Sequence, residues 1–160
     1  MKRTILSIFS LISISMFAQD AVNISQGENY ANDVFVSMEN GEVETVDATD
    51  WDIAFELGSI FSTGVRINDG QGVSLYTYPN SDIDGWDAID TTGMSEWTAV
   101  NNDLTAWSYG AFNVSPSGDE TDYSWGYYTG PPEHNVIGDS LYIIQLVDET
   151  YKKLRLDVLA

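Results

Sequence analysis

The chain contains no cysteine. Disulfides, thiolate metal sites, iron–sulfur clusters and cysteine nucleophiles are therefore excluded. Basic residues are scarce as well: six Lys and Arg face 25 Asp and Glu, for a formal net charge of −19 at pH 7. That charge repels phosphates and anionic lipid surfaces, so nucleic acid is not an expected partner. Histidine occurs once, at position 134. A nucleophile–base triad would have to use it, and no nucleophile-elbow pattern accompanies it. Gly70-Gln71-Gly72 lacks the Lys-Ser/Thr and the helix of a phosphate loop. Two carboxylates would suffice for a glycosidase, but no pattern marks a pair among so many. The expectation is a protein that is not an enzyme.

What is present is enough for one folded domain. The 160 residues are 43 % hydrophobic and 19 % charged, a composition that builds a core rather than an acidic disordered tail. The chain opens with Lys2 and Arg3, then an apolar run from Thr4 to Ala18. Basic start, short apolar run and small closing residue describe a secretory signal peptide over residues 1–19. A membrane span would need about 20 apolar residues, and no later stretch reaches that length. The mature part, residues 20–160, is expected to be exported to the medium or the bacterial outer surface, with the export machinery as a partner.

Beyond residue 32 the pattern alternates. Residues 33–39 and 42–46 flank Asn40-Gly41, which predicts a hairpin closed by a two-residue turn with positive φ at both residues. Trp51, Ile53 and Phe55 fall on one face of the next strand, and 65–68 and 73–78 supply two more. Residues 79–102 are rich in Asp, Asn, Ser, Thr and Gly and predict long loops. Residues 106–109 and 123–128 are aromatic strand candidates. The stretch 140–146 is apolar on both faces, which predicts a central strand covered on each side. Asp148-Glu149 predicts a tight turn into a final strand, 151–159. With no helical periodicity, the fold class is all-β: an antiparallel sandwich or open barrel with long aromatic and acidic loops. The last strand runs to the final residue without a polar tail. An unpaired apolar strand would be an aggregation hazard, so residues 20–160 are expected to be a C-terminally incomplete domain.

Trp51-Asp52-Ile53-Ala54-Phe55 followed by Val65-Arg66-Ile67-Asn68 resembles the "WDIAF … IRTN" pattern of the HmuY-like haem-binding proteins of Bacteroidetes. Asn32 to Ser37 with Asn40-Gly41, and 141–146 with 151–154, extend the likeness over most of the mature chain. It is also similar to the N-terminal regions of flavobacterial proteins exported by the type IX secretion system. The resemblance implies haem as cofactor, held in that family by paired His or Met side chains. The mature sequence offers His134, Met38 and Met94 as candidate ligands.

Other groupings stand beside that reading. Arg66 is the sole basic residue between Arg3 and Lys152, and a pair with Asp52 across neighbouring strands would fix register. Asn80, Asp82 and Asp84 alternate ahead of Gly85 as in a calcium loop, with Asp87 and Asp90 able to stand in for Thr91, where a Glu is wanted. An Asx-rich turn accounts for the same residues. Tyr123, Trp125 and Tyr127 share a strand face, which suits either a glycan platform or a core. The functional expectation is a non-catalytic, exported module that binds a small molecule. The alternatives are a calcium-supported adhesion or glycan-binding module of a larger type IX cargo, and a structural spacer. One consequence is direct: intact mass of the exported protein should show a chain beginning at Gln19 or Asp20, and a retained N-terminus would contradict the leader.

Overall fold

The computed structural model describes residues 23–59, 62–114 and 116–160; the expected signal peptide lies outside them. The fold is all-β and antiparallel, with short 3₁₀ turns as its helical content. In chain order the strands are β1 Asn32–Ser37, β2 Gly41–Asp47, β3 Ile53–Phe55, β4 Val65–Ile67 and β5 Ser74–Thr77. After a long irregular stretch come β6 Gly126–Tyr128, β7 Val136–Gly138, β8 Leu141–Gln145, β9 Tyr151–Arg155 and β10 Val158–Leu159. They form two hairpin sheets, β1-β2 and β3-β4, and two three-stranded sheets ordered β5-β8-β9 and β10-β7-β6.

The β1-β2 hairpin forms, but its turn differs from expectation. Ser37 pairs with Gly41, so three residues, Met38 to Asn40, make the loop. Of the two turn residues, only Gly41 has positive φ, at 77°. The Ser37 hydroxyl accepts bonds from the Glu39 and Asn40 amides at 3.3 and 3.2 Å, which fixes that wider loop.

Strand β8 is the central strand that its two apolar faces predict. Tyr142 and Ile144 enter the main core with Val65, Ile67, Leu75, Phe112 and Trp125. Leu141 and Ile143 point the other way, into a second cluster with Tyr78, against which Trp86, Met94 and Trp97 pack. One strand thus joins both cores through its two-residue period. Phe112 meets Tyr142 edge-on at 4.8 Å between ring centres, and Tyr78 meets Trp97 likewise at 5.6 Å. Burial pushes the Tyr142 phenol well above its ordinary range, so the ring stays neutral in the core.

Three expectations are corrected here. Residues 106–109 turn rather than extend, leaving Trp107 62 % exposed. The final strand is two: β9 ends at Arg155, and the chain crosses to pair β10 with β7 in the other sheet. The crossing is held by an Arg155–Asp157 ion pair at 2.7 Å and by the Gly138 amide on the Asp157 carbonyl. Val158 and Leu159 pair with Ile137 and Val136 on one side, and β10 is the edge of that sheet. Tyr123, Trp125 and Tyr127 do not share a face, because Ser124 takes a left-handed φ of 74° and breaks the alternation. Trp125 is 3 % exposed in the core, and Tyr127 is 49 % exposed. That separates the rings of the expected platform.

Strand β4 is bordered by β3 on one side only. On the other, the Asn113 side-chain oxygen accepts from the Val65 amide at 2.9 Å, and that of Asn102 accepts from Ile67 at 3.1 Å. The Asn102 amide group returns a bond to the Ile67 carbonyl at 2.7 Å. Two buried asparagines thus replace a strand edge. The loop carrying them lies directly against β4: a Cβ on Gly110 would come within 1.9 Å of the Val65 carbonyl oxygen. Asn102 also accepts from the Ala111 amide at 3.0 Å. Asn102→Ala strands these buried groups, so urea unfolding should show a loss of about 3 kcal/mol. A loss below about 1 kcal/mol would show that the amides do not depend on Asn102.

Candidate ligand-binding site

The largest of the described cavities, about 600 Å³, opens beside the β6-β7 hairpin. Its walls include Tyr123, Tyr128, His134 and Val136, with Leu57 and with Leu159, the cross-strand neighbour of Val136. A neighbouring groove of about 400 Å³ shares Leu57, Thr63 and Leu159 with it and reaches Trp125. Volumes of this size suit a small organic ligand or cofactor.

The polar groups of the cavity are set by the hairpin. Tyr128 ends β6 opposite Val136, and its amide donates to the Thr121 carbonyl at 2.8 Å. The loop that follows bends through a cis Pro131–Pro132 bond. It is closed by the Thr129 amide on the Asn135 carbonyl at 2.8 Å and the Asn135 amide on the Thr129 hydroxyl at 3.1 Å. His134 adopts a left-handed φ of 57°, with its amide on the Gly130 carbonyl at 2.9 Å. That turn brings the imidazole alongside the phenol: Tyr128 Oη and His134 Nδ1 are hydrogen-bonded, with ring centres 5.9 Å apart. Glu56 and Glu133 also line the cavity, so its field is anionic.

The three candidate haem ligands do not converge. His134 is in the cavity wall. Met38 stands at the tip of the first hairpin, 99 % exposed, and Met94 packs into the second hydrophobic cluster. Neither methionine lines the cavity that His134 lines.

Two of the residues read as a calcium loop, Asp82 and Asp90, accept bonds from nearby backbone amides. Asp82 accepts from the Asp84 amide at 3.1 Å and starts the 3₁₀ turn Ile83–Ala88; Asp90 accepts from the Thr92 amide at 2.9 Å. Among the described residues, no three His, Cys, Asp or Glu side chains are grouped to hold a metal ion. The Asx-turn account of this stretch fits these bonds.

Asp52 and Arg66 are not the expected pair. In the β3-β4 register Arg66 faces Ala54, and Asp52 is exposed. The guanidinium instead donates to the carbonyls of Ala106 at 3.1 Å, Trp107 at 2.9 Å and Asp103 at 3.2 Å. It also lies 4.8 Å from the Trp107 ring centre. A fork of fixed donors satisfies several carbonyls of one irregular loop at once, which a single carboxylate partner would not do.

Sequence reasoning missed two features that build this region: the Asn102–Asn113 clasp and a recurring Asp-x-Thr turn. At Asp47, Asp103, Asp119 and Asp148, the Thr two residues on donates both its amide and its hydroxyl to one carboxylate oxygen. These bonds hold all four carboxyls below the usual range. The repeated Asp-x-Thr spacing was the available signal.

Compared with family models, curated proteins and solved structures, the chain matches none.

The sign of the carboxyl shifts sets a pH test. A lowered folded-state value contributes stability that is present above the unfolded value and lost as pH falls through the folded one. Wild type should therefore unfold at higher denaturant than Thr105→Ala at neutral pH. The gap should close as pH falls below about 4. A gap that widens on acidification would contradict the turn assignment.

Proposed function

We propose that this is an exported, non-catalytic module of the HmuY-like kind, and that its ligand is haem, taken up in the cavity beside the β6-β7 hairpin. The observation that carries the reading is the placement of the chain's single histidine. Of all the positions it could occupy on a mostly exposed surface, it lines the largest described cavity and is bonded to a tyrosine in the same wall. Phenol oxygen and imidazole nitrogen are both donors that ferric haem accepts, so the donor set fits the group. Leu57, Val136, Leu159 and Tyr123 supply the apolar walls against which a porphyrin face would lose water. Glu56 and Glu133 would repel the anionic propionates, which would therefore extend away from both carboxylates.

Bound haem would supply a ferric centre and an intense visible absorption. The protein's share of the work is to hold the donor side chains in place and to cover the porphyrin with apolar surface. The leader-like N-terminus and the resemblance to type IX cargo support export to the bacterial surface, where scavenging or presenting such a molecule would be the use of the module.

Titration of the purified protein with ferric haem should give a saturable change in the visible bands at one equivalent. His134→Ala should weaken binding roughly tenfold or more, as loss of a ligand or its orienting partner does. Met38→Ala and Met94→Ala should bind as wild type. A non-saturating response in folded wild-type protein would overturn the reading.

A further inference from the structure

We propose that β10 offers its free edge to an extended peptide segment of a partner protein, which adds a strand to the β10-β7-β6 sheet and sets a Lys or Arg against Glu56. This goes beyond the haem reading and does not rest on it. Strand β10 pairs with β7 on one side and has no strand on the other. The Asp157 carbonyl accepts from the Gly138 amide at 2.9 Å, so it is turned toward β7. In an antiparallel pair the next residue turns its amide and carbonyl the opposite way. Val158 therefore holds one donor and one acceptor outward, and among the described residues neither has a backbone partner. An edge of this kind is a template for another strand.

The groove beside that edge suits a peptide. β10 and the end of β3, itself the edge of a two-stranded sheet, line one groove of about 400 Å³. Phe55, Leu57, Val158 and Leu159 are exposed along it. Side chains of an added strand alternate between faces, and those turned to these residues would lose water there. Glu56 lines the same groove, half-buried, and among the described residues its carboxylate is in no ion pair. Arg155 also lines the groove but is held by Asp157 at 2.7 Å. A carboxylate partly withdrawn from water is best compensated by a cation that the partner brings. A second copy of this chain is the poorer occupant. Its formal net charge of −19 repels its like, whereas a basic segment is drawn in.

The test begins with random peptides of about ten residues, displayed on phage and selected on the purified protein. Enriched sequences should alternate apolar residues and carry a Lys or Arg. One such peptide, synthesised and labelled, is then titrated by fluorescence polarisation. Glu56→Gln should weaken it roughly tenfold, as loss of a charge-assisted hydrogen bond does. Val158→Pro removes the outward amide and no bond to β7, so that variant should fold and also bind roughly tenfold more weakly. N-methylation of alternate peptide amides probes the same bonds without touching the protein. One alternate set should abolish binding, and the other should spare it. No enrichment, enrichment of acidic sequences, or binding indifferent to both methylated sets overturns the proposal. A dimer of the free protein in sedimentation, dissolved by Val158→Pro, overturns it too, because a second copy then occupies the edge. Near-ultraviolet circular dichroism confirms that each variant is folded.

Discussion

One flank of β4 has no strand beside it, and Asn102 and Asn113 stand where that strand would be. Their carboxamides present a donor and an acceptor in the planar arrangement of a peptide group, so each can complete a backbone edge at a single point. The solution has a cost in specificity: the loop that carries the asparagines must approach β4 at backbone distance, which is why Gly110 sits there. Asn68 performs the same service at the other end of the motif, donating to the carbonyls of Ala48 and Trp51. Among the described residues no buried side-chain nitrogen or oxygen lacks a partner. In a domain built from small sheets, with much of its chain outside strands, side-chain amides hold together what longer ladders hold elsewhere.

The candidate site depends on this frame. The Asn113 amide group donates to the Thr63 carbonyl at 3.0 Å, and Trp125 Nε1 donates to the same carbonyl at 3.2 Å. Thr63 is in the cavity wall, so the clasp on β4 also fixes part of that wall. The turn from β9 to β10 sets another lining residue, Leu159, beside Val136. The Tyr128–His134 pair is thus presented by one hairpin against a wall that buried amides hold still.

The parts of the fold visible in the sequence were those governed by period. Apolar residues on both faces of 141–146 led directly to a strand between two cores, and the alternation around 42–46 led to a hairpin. Local rules failed where long-range partners decide. Nothing near Asn40-Gly41 reveals that Ser37 will widen the turn, and nothing near Arg66 reveals the carbonyls of residues 103–107 that it meets about 40 positions later. Ser124 is an ordinary residue, yet its left-handed backbone is what separates Trp125 from Tyr127. The site was legible in one residue. His134 could be singled out as the sole histidine, but its tyrosine partner follows from the hairpin register, and the methionines had only residue type to recommend them.

The proposed ligand site is the cavity beside the β6-β7 hairpin and Leu57, which neither methionine lines. Methyl-resolved nuclear magnetic resonance with ferric haem, referenced to diamagnetic zinc protoporphyrin, tests it most directly. Paramagnetic broadening should concentrate on the methyl groups of Leu57, Val136 and Leu159 and spare those of Met38 and Met94. Broadening centred on either methionine, or spread evenly over the protein, would contradict the account.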